Sequence, residues 1–366
     1  MYHRRSGHFG QEDSPYEIVS AFFPLLFVPV AFSISQYAAQ DAAWAERYAR
    51  GFAAFIAQPV SSAVGAFPFS IAEILLVMMV VSFVITMLIH LTRGDWLRFV
   101  AYPLALAAIF YSFFAGGWGV AYSREPYAAT AGLTVEAVSA DELETLCIEL
   151  VHKANALREG AAEDRAGVYL PKASKHELLR GVQDVYDQAS ASYPWLSGTY
   201  GNPKPIALSV PLSYLNISGI FIPYTLEANV NMNNNAFMIP VTACHEAAHL
   251  RGWAREDEAN YIAYAVCVQS DDRDFAYSGA LLGLMYAGNA LYSADSGRYW
   301  AVRELYSEGV ARDLQANTDH WKQYEGKAAE VHEQVNDAYL KANRQEDGVR
   351  SYGRMVDLMV AEMRGK

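Results

Sequence analysis

Residues 241–267 read VTACHEAAHLRGWAREDEANYIAYAVC, and the fold class turns on this stretch. It holds His245-Glu246-Ala247-Ala248-His249, an H-E-x-x-H pattern. Residues four apart on a helix are offset by ~40° and one turn, so both imidazoles face one point and can take two corners of a zinc tetrahedron. Glu246 lies on the adjoining flank, where a carboxylate can reach a water at the metal and serve as general base. The competing reading is an ordinary helix with two surface histidines. The alanine-rich, apolar flanks argue against it, because two histidines on one such face would have no partner. Gly252 stops the helix shortly after His249, as C-terminal glycines do, and a second helix follows with Glu256-Asp257-Glu258-Ala259-Asn260.

Two zincin classes differ in their third ligand. The class with a third histidine requires His where this chain has Arg255, a cation that cannot bind zinc. The other class takes a glutamate from the following helix in an E-x-x-A-[DN] pattern, which Glu256, Ala259 and Asn260 fit. Glu256 is therefore the expected ligand and Glu258, about 200° round the helix, the alternative. Asn260, one turn after Glu256, is placed to hydrogen-bond a ligand histidine.

Outward from this stretch, 52% hydrophobic residues in 366 are spread unevenly, which suggests a membrane part and a soluble part. Residues 1–16 read as a tail. Residues 17–124 read as a membrane region with three spans, at about 18–35, 72–91 and 97–122, each an uncharged run near one bilayer thickness. The first run lacks a convincing cleavage site and reads as an uncleaved span. Residues 42–69 read as an amphipathic surface helix, and Glu73 as a solvated helix cap. With the N-terminus inside, four arginines (Arg4, Arg5, Arg93, Arg98) fall on the inner side and three (Arg47, Arg50, Arg124) on the outer. Three spans then place the C-terminal part outside.

Residues 125–366 read as a soluble, mainly helical α+β domain. Helices are expected over 141–159 and 174–191 from apolar spacing. Short runs punctuated by Gly and Pro over 193–240 suggest a small sheet before the H-E-x-x-H helix. Within it, Glu227 to Asn231 is expected to lie along the cleft and pair with an extended peptide. The chain after Cys267 reads as helical, with a polar loop over 341–348 and a last helix from Tyr352 to Glu362. The three cysteines, Cys147, Cys244 and Cys267, form no disulfide pattern, and the latter two read as buried small residues. A net charge of −12 argues against a nucleic-acid partner.

Several blocks together resemble a family of bacterial membrane proteins grouped as DUF3810. They are Phe67 to Glu73, Gly117 to Arg124, Ser218-Gly219, Pro223 to Asn231, Pro240 to Glu246, Glu256 to Asn260, and Tyr339 to Lys341 continuing through Asp347 to Val349 and Ser351 to Gly353. The resemblance implies a zincin-type metallopeptidase of the gluzincin kind in a bacterial cell membrane. The gap of six residues between His249 and Glu256 is shorter than in most gluzincins.

The function expected is a membrane-anchored zinc metallopeptidase. His245, His249 and Glu256 would bind Zn2+, Glu246 would move the proton during attack on a peptide carbonyl, and peptide or protein would be the substrate. Tyr352 is a candidate oxyanion donor, with a packed core tyrosine as its competing reading. Two rival functions stand beside this one. One is a non-catalytic zinc protein serving as sensor or staple, and the other is an envelope-assembly module without metal.

Overall fold

The computed structural model describes residues 22–365. The expected N-terminal tail and the start of the expected first span lie outside them.

The chain is mainly helical with one small sheet. A 3-10 turn, Phe23–Leu26, leads into α1, Phe27–Gln40. Asp41 caps α2, Ala42–Tyr48, by accepting from the Trp44 amide, and a π-helical turn, Ala49–Ala53, joins it to α3, Ala54–Gly65. Two helices follow that are long and apolar enough to cross a membrane: α4, Ile71–Arg93, and α5, Trp96–Gly116, which a 3-10 turn extends to Ser123. Only 6% and 22% of their most apolar stretches is buried. Core helices of soluble proteins are mostly buried, so the outward Val77, Met78, Ile85 and Leu88 mark a different setting.

Two such helices, not three, are present among the described residues. In the first expected span the described helix α1 has 14 residues, about 21 Å of rise against a hydrocarbon layer of about 30 Å.

The turn between α4 and α5 is tight. Gly94 takes φ 71, a left-handed conformation that side chains disfavour, and Asp95 caps α5 through the Arg98 amide. The pair forms a hairpin whose open end meets the rest of the chain. At that end Glu227 accepts from the amides of Ile71 and Ala72 at 2.9 and 2.7 Å, satisfying the orphan donors of α4. Glu73 is not a solvated cap: its carboxylate accepts from the amides of Ala207 and Leu208.

Beyond the hairpin come α6, Ala140–Arg158, opened by a Ser139–Glu142 capping box, and α7, Val182–Ala189. The expected helix over 174–191 is broken at Gly181, which packs on the Phe275 ring. The sheet has β1 (Lys204–Ile206), β2 (Gly219–Ile222) and β3 (Glu227–Asn231) in the order β1-β3-β2, parallel then antiparallel. Glu227 to Asn231 was expected to lie open along the cleft. It is instead the central strand, buried at every residue, and β2 is the edge beside the site.

Next come α8, Ile239–Leu250, and α9, Glu256–Val268, the two helices of the opening stretch. They pack against α10, Arg273–Ala294, in one core with Tyr186, Trp253, Tyr261 and Tyr277 fully buried. Asp313 on α11, Glu308–Lys322, ties the periphery to this core by accepting from Arg158, Tyr277 and the Tyr169 amide. α12, Lys327–Ala342, a 3-10 turn Gly348–Arg354 and α13, Met355–Arg364, end the chain.

Candidate metal centre

His245 and His249 project from one face of α8 and meet Glu256 from the first turn of α9. The Nε2 atoms of the histidines are 3.1 Å apart, and Glu256 Oε2 lies 3.2 Å from His245 Nε2 and 3.5 Å from His249 Nε2. Around a tetrahedral zinc with bonds of about 2.0–2.2 Å, neighbouring ligand atoms stand roughly 3.3–3.5 Å apart. The triangle has that size. Two imidazole nitrogens turned on one carboxylate oxygen can share a cation or a proton, and N, N, O is a donor set that zinc accepts. The residues present therefore fit a three-ligand zinc site.

The turn between the helices makes this geometry possible. Gly252, at φ 84, reverses the chain after α8. The Trp253 carbonyl then lies 2.7 Å from His249 Nδ1, so Nδ1 donates to it and Nε2 is the nitrogen turned toward His245 and Glu256. Asn260 was expected to serve a ligand histidine in this way. Its amide instead donates to the Tyr286 hydroxyl and the Tyr352 carbonyl, while the turn supplies the backbone oxygen that meets His249. His245 Nδ1 is buried without a protein partner.

Glu258, the alternative ligand, is turned into the core. It accepts from the Tyr127 amide at 2.7 Å and stands apart from the trio. Burial pushes its carboxyl up to about 7.

Glu246 is 4% exposed and packs against β2. A Cβ on Gly219 would sit 2.5 Å from its Oε1, so only glycine lets the strand come this close. Burial raises the Glu246 carboxyl to about 7, against the pull of His245 and His249 and of the Phe221 amide. Burial opposes the charge on Glu256 too, but there the two histidines outweigh it and hold the carboxyl well below the usual range. His249 answers in kind. Burial lowers its pKa, and Glu256, Glu246 and the Trp253 carbonyl more than restore it, to about 9.

The centre opens on a cavity of about 680 Å3 lined by β2, α8, α9 and the inner face of α12. Tyr352 lines it, with its hydroxyl 3.3 Å from Asn336 Nδ2 and its pKa raised by burial and by Glu256. Tyr286, Trp118, and Tyr122 paired with Tyr339 at 3.0 Å, line it as well. These four escaped the sequence reading. Nothing in their local spacing marks them, since they converge from two distant helices, α10 and α12, and the turn after α5.

Comparison with known proteins gives one family. Its sequence profile, described as "Protein of unknown function (DUF3810)", matches residues 48–360. No curated protein matches the chain, and no solved structure does.

Proposed function

The chain belongs to the DUF3810 family, whose function is unknown, so its activity has to be read from the site, and we propose a zinc-dependent peptidase anchored in a bacterial membrane by the α4–α5 hairpin. The observation that carries this reading is the triangle of His245, His249 and Glu256 with a buried carboxylate, Glu246, on the next residue. A staple would need no such carboxylate.

Zinc held by the trio would supply a Lewis acid and a water of lowered pKa. Glu246 takes the proton of the attacking water and passes it to the leaving amine. Burial raises the carboxyl above the usual range, the direction that suits a group that must take up a proton and give it back. Tyr352, a neutral phenol facing the same cavity, is placed to donate to the oxygen on which charge develops. The outer edge of β2 supports an extended peptide as substrate: it has no neighbouring strand among the described residues, and it borders the cavity from Ser218 to Phe221.

The hairpin would hold the soluble part at one membrane face. Arg93 and Arg98 flank its far turn, which favours the far turn inside and the metal centre outside. Replacing Glu246 by Gln tests the mechanism: bound zinc stays at the wild-type level while cleavage of a denatured protein substrate falls at least a hundredfold. Cleavage at the wild-type rate in that variant would refute it.

A further inference from the structure

A second cavity, of about 650 Å3, lies beside the metal cavity where α5 meets the soluble part. Its wall is apolar. Val30 and Ile34 come from α1, Phe52 and Ala53 from the π-helical turn, and Ile109 and Phe113 from the last turns of α5. Trp118 and Phe221 line both cavities. Their ring centroids are 4.7 Å apart, and they stand 6.2 and 6.4 Å from the His249 ring. The dividing wall between the two spaces is thus two rings packed on a metal-ligand histidine. Phe52, Ile109 and Phe113 are more than half exposed, so the cavity opens outward along the apolar flank of the hairpin.

Polarity decides what fits. An extended peptide would bury amides and carbonyls against a wall of aliphatic and aromatic side chains, at a cost of several kcal/mol for each unpaired group. A hydrocarbon chain has no such groups. A space this apolar gives water few partners, and leaving it void forfeits dispersion contacts around its whole lining. Where the opening faces bilayer hydrocarbon, a chain from the bilayer is the filling at hand.

We propose that this cavity binds one acyl chain of a membrane phospholipid, seated against Trp118 and Phe221 beside the metal centre. The inference rests on the membrane part of the reading above, that α4 and α5 cross a bilayer, and not on peptidase activity.

The test uses the full chain in phosphatidylethanolamine vesicles containing a phosphatidylethanolamine with a photoreactive diazirine on one acyl chain. After irradiation, adducts are mapped by mass spectrometry. Val77, Val81 and Leu88 on the outward face of α4 report ordinary boundary lipid. Ala57, only 7% exposed, and Trp118 report the cavity interior. The expected result is labelling at Ala57 and Trp118 as well as on α4, with the interior labelling reduced at least fivefold by Ala53→Trp and the α4 labelling unchanged. Should Ala53→Trp fail to fold, judged by circular dichroism and thermal unfolding, Ala57→Leu narrows the same space and is read at Trp118. Labelling on α4 without labelling in the interior, or interior labelling that neither substitution moves, overturns the proposal. Absence of labelling on α4 overturns the membrane reading and the proposal with it.

Discussion

Arg124 Nη1 donates to the carbonyl of Gly252 at 2.7 Å, joining the residue that follows the α5 extension to the turn that brings Glu256 to His245 and His249. The same guanidinium stacks 4.1 Å above the Trp253 ring and pairs with Glu46. Gly252 sets the reversal after α8, and the Trp253 carbonyl orients His249. The apolar hairpin and the ligand geometry are therefore mechanically linked.

Arg124→Ala should weaken zinc binding by about tenfold, the lower end of the effect of losing a group that orients a ligand. A competition titration with a chelating dye on the folded variant measures it. Affinity equal to wild type would mean that the turn holds its shape without Arg124.

Gly219→Ala probes the general base without touching a ligand. The new Cβ meets Glu246 Oε1 at 2.5 Å, so the carboxylate or the strand must shift. Misplacing a reacting group by ~1 Å can cost about a hundredfold in rate. The expected variant keeps one zinc per chain and loses at least tenfold in kcat. Full activity would show that Glu246 has room to spare, and with it that its position is not catalytic.

Lys204 and Glu227 form a buried pair, 2.8 Å apart with side chains 4% and 1% exposed, and Glu227 also caps α4. Lys204→Met strands a buried carboxylate and should destabilise by about 3 kcal/mol. The double variant Lys204→Met/Glu227→Gln leaves no buried charge unpaired and should recover more than half of that. Thermal unfolding in detergent gives the order: wild type highest, double variant next, Lys204→Met lowest. Additive losses would contradict the argument.

What the sequence made legible follows from local rules. Helical spacing puts His245 and His249 on one face, Gly252 announces the turn, and the E-x-x-A-N spacing favours Glu256 over Glu258; in the structure His245, His249 and Glu256 lie together and Glu258 turns to the Tyr127 amide. The readings that failed depend on contacts far apart in the chain. The Glu227 to Asn231 run has the look of a strand, but only its pairing on both sides reveals a buried centre. Asn260 sits one turn from Glu256 as expected, yet a backbone carbonyl from the turn had already taken the histidine. The first apolar run gives no third spanning helix among the described residues, where a 3-10 turn leads into the 14-residue α1 that ends at Gln40. Trp118, Tyr122, Tyr286 and Tyr339 could not be found in advance, because only the packing of α5, α10 and α12 around α8 brings them to one cavity.

Metal analysis of the full chain, purified without chelators or added metal, tests the central claim most directly. The account expects one zinc per chain in wild type and in Glu246→Gln, and less than about a tenth of that in His249→Ala, with X-ray absorption giving two nitrogen ligands and a carboxylate oxygen at about 2.0–2.2 Å. A wild-type protein without zinc, or a His249→Ala variant that keeps it in full, would contradict the account.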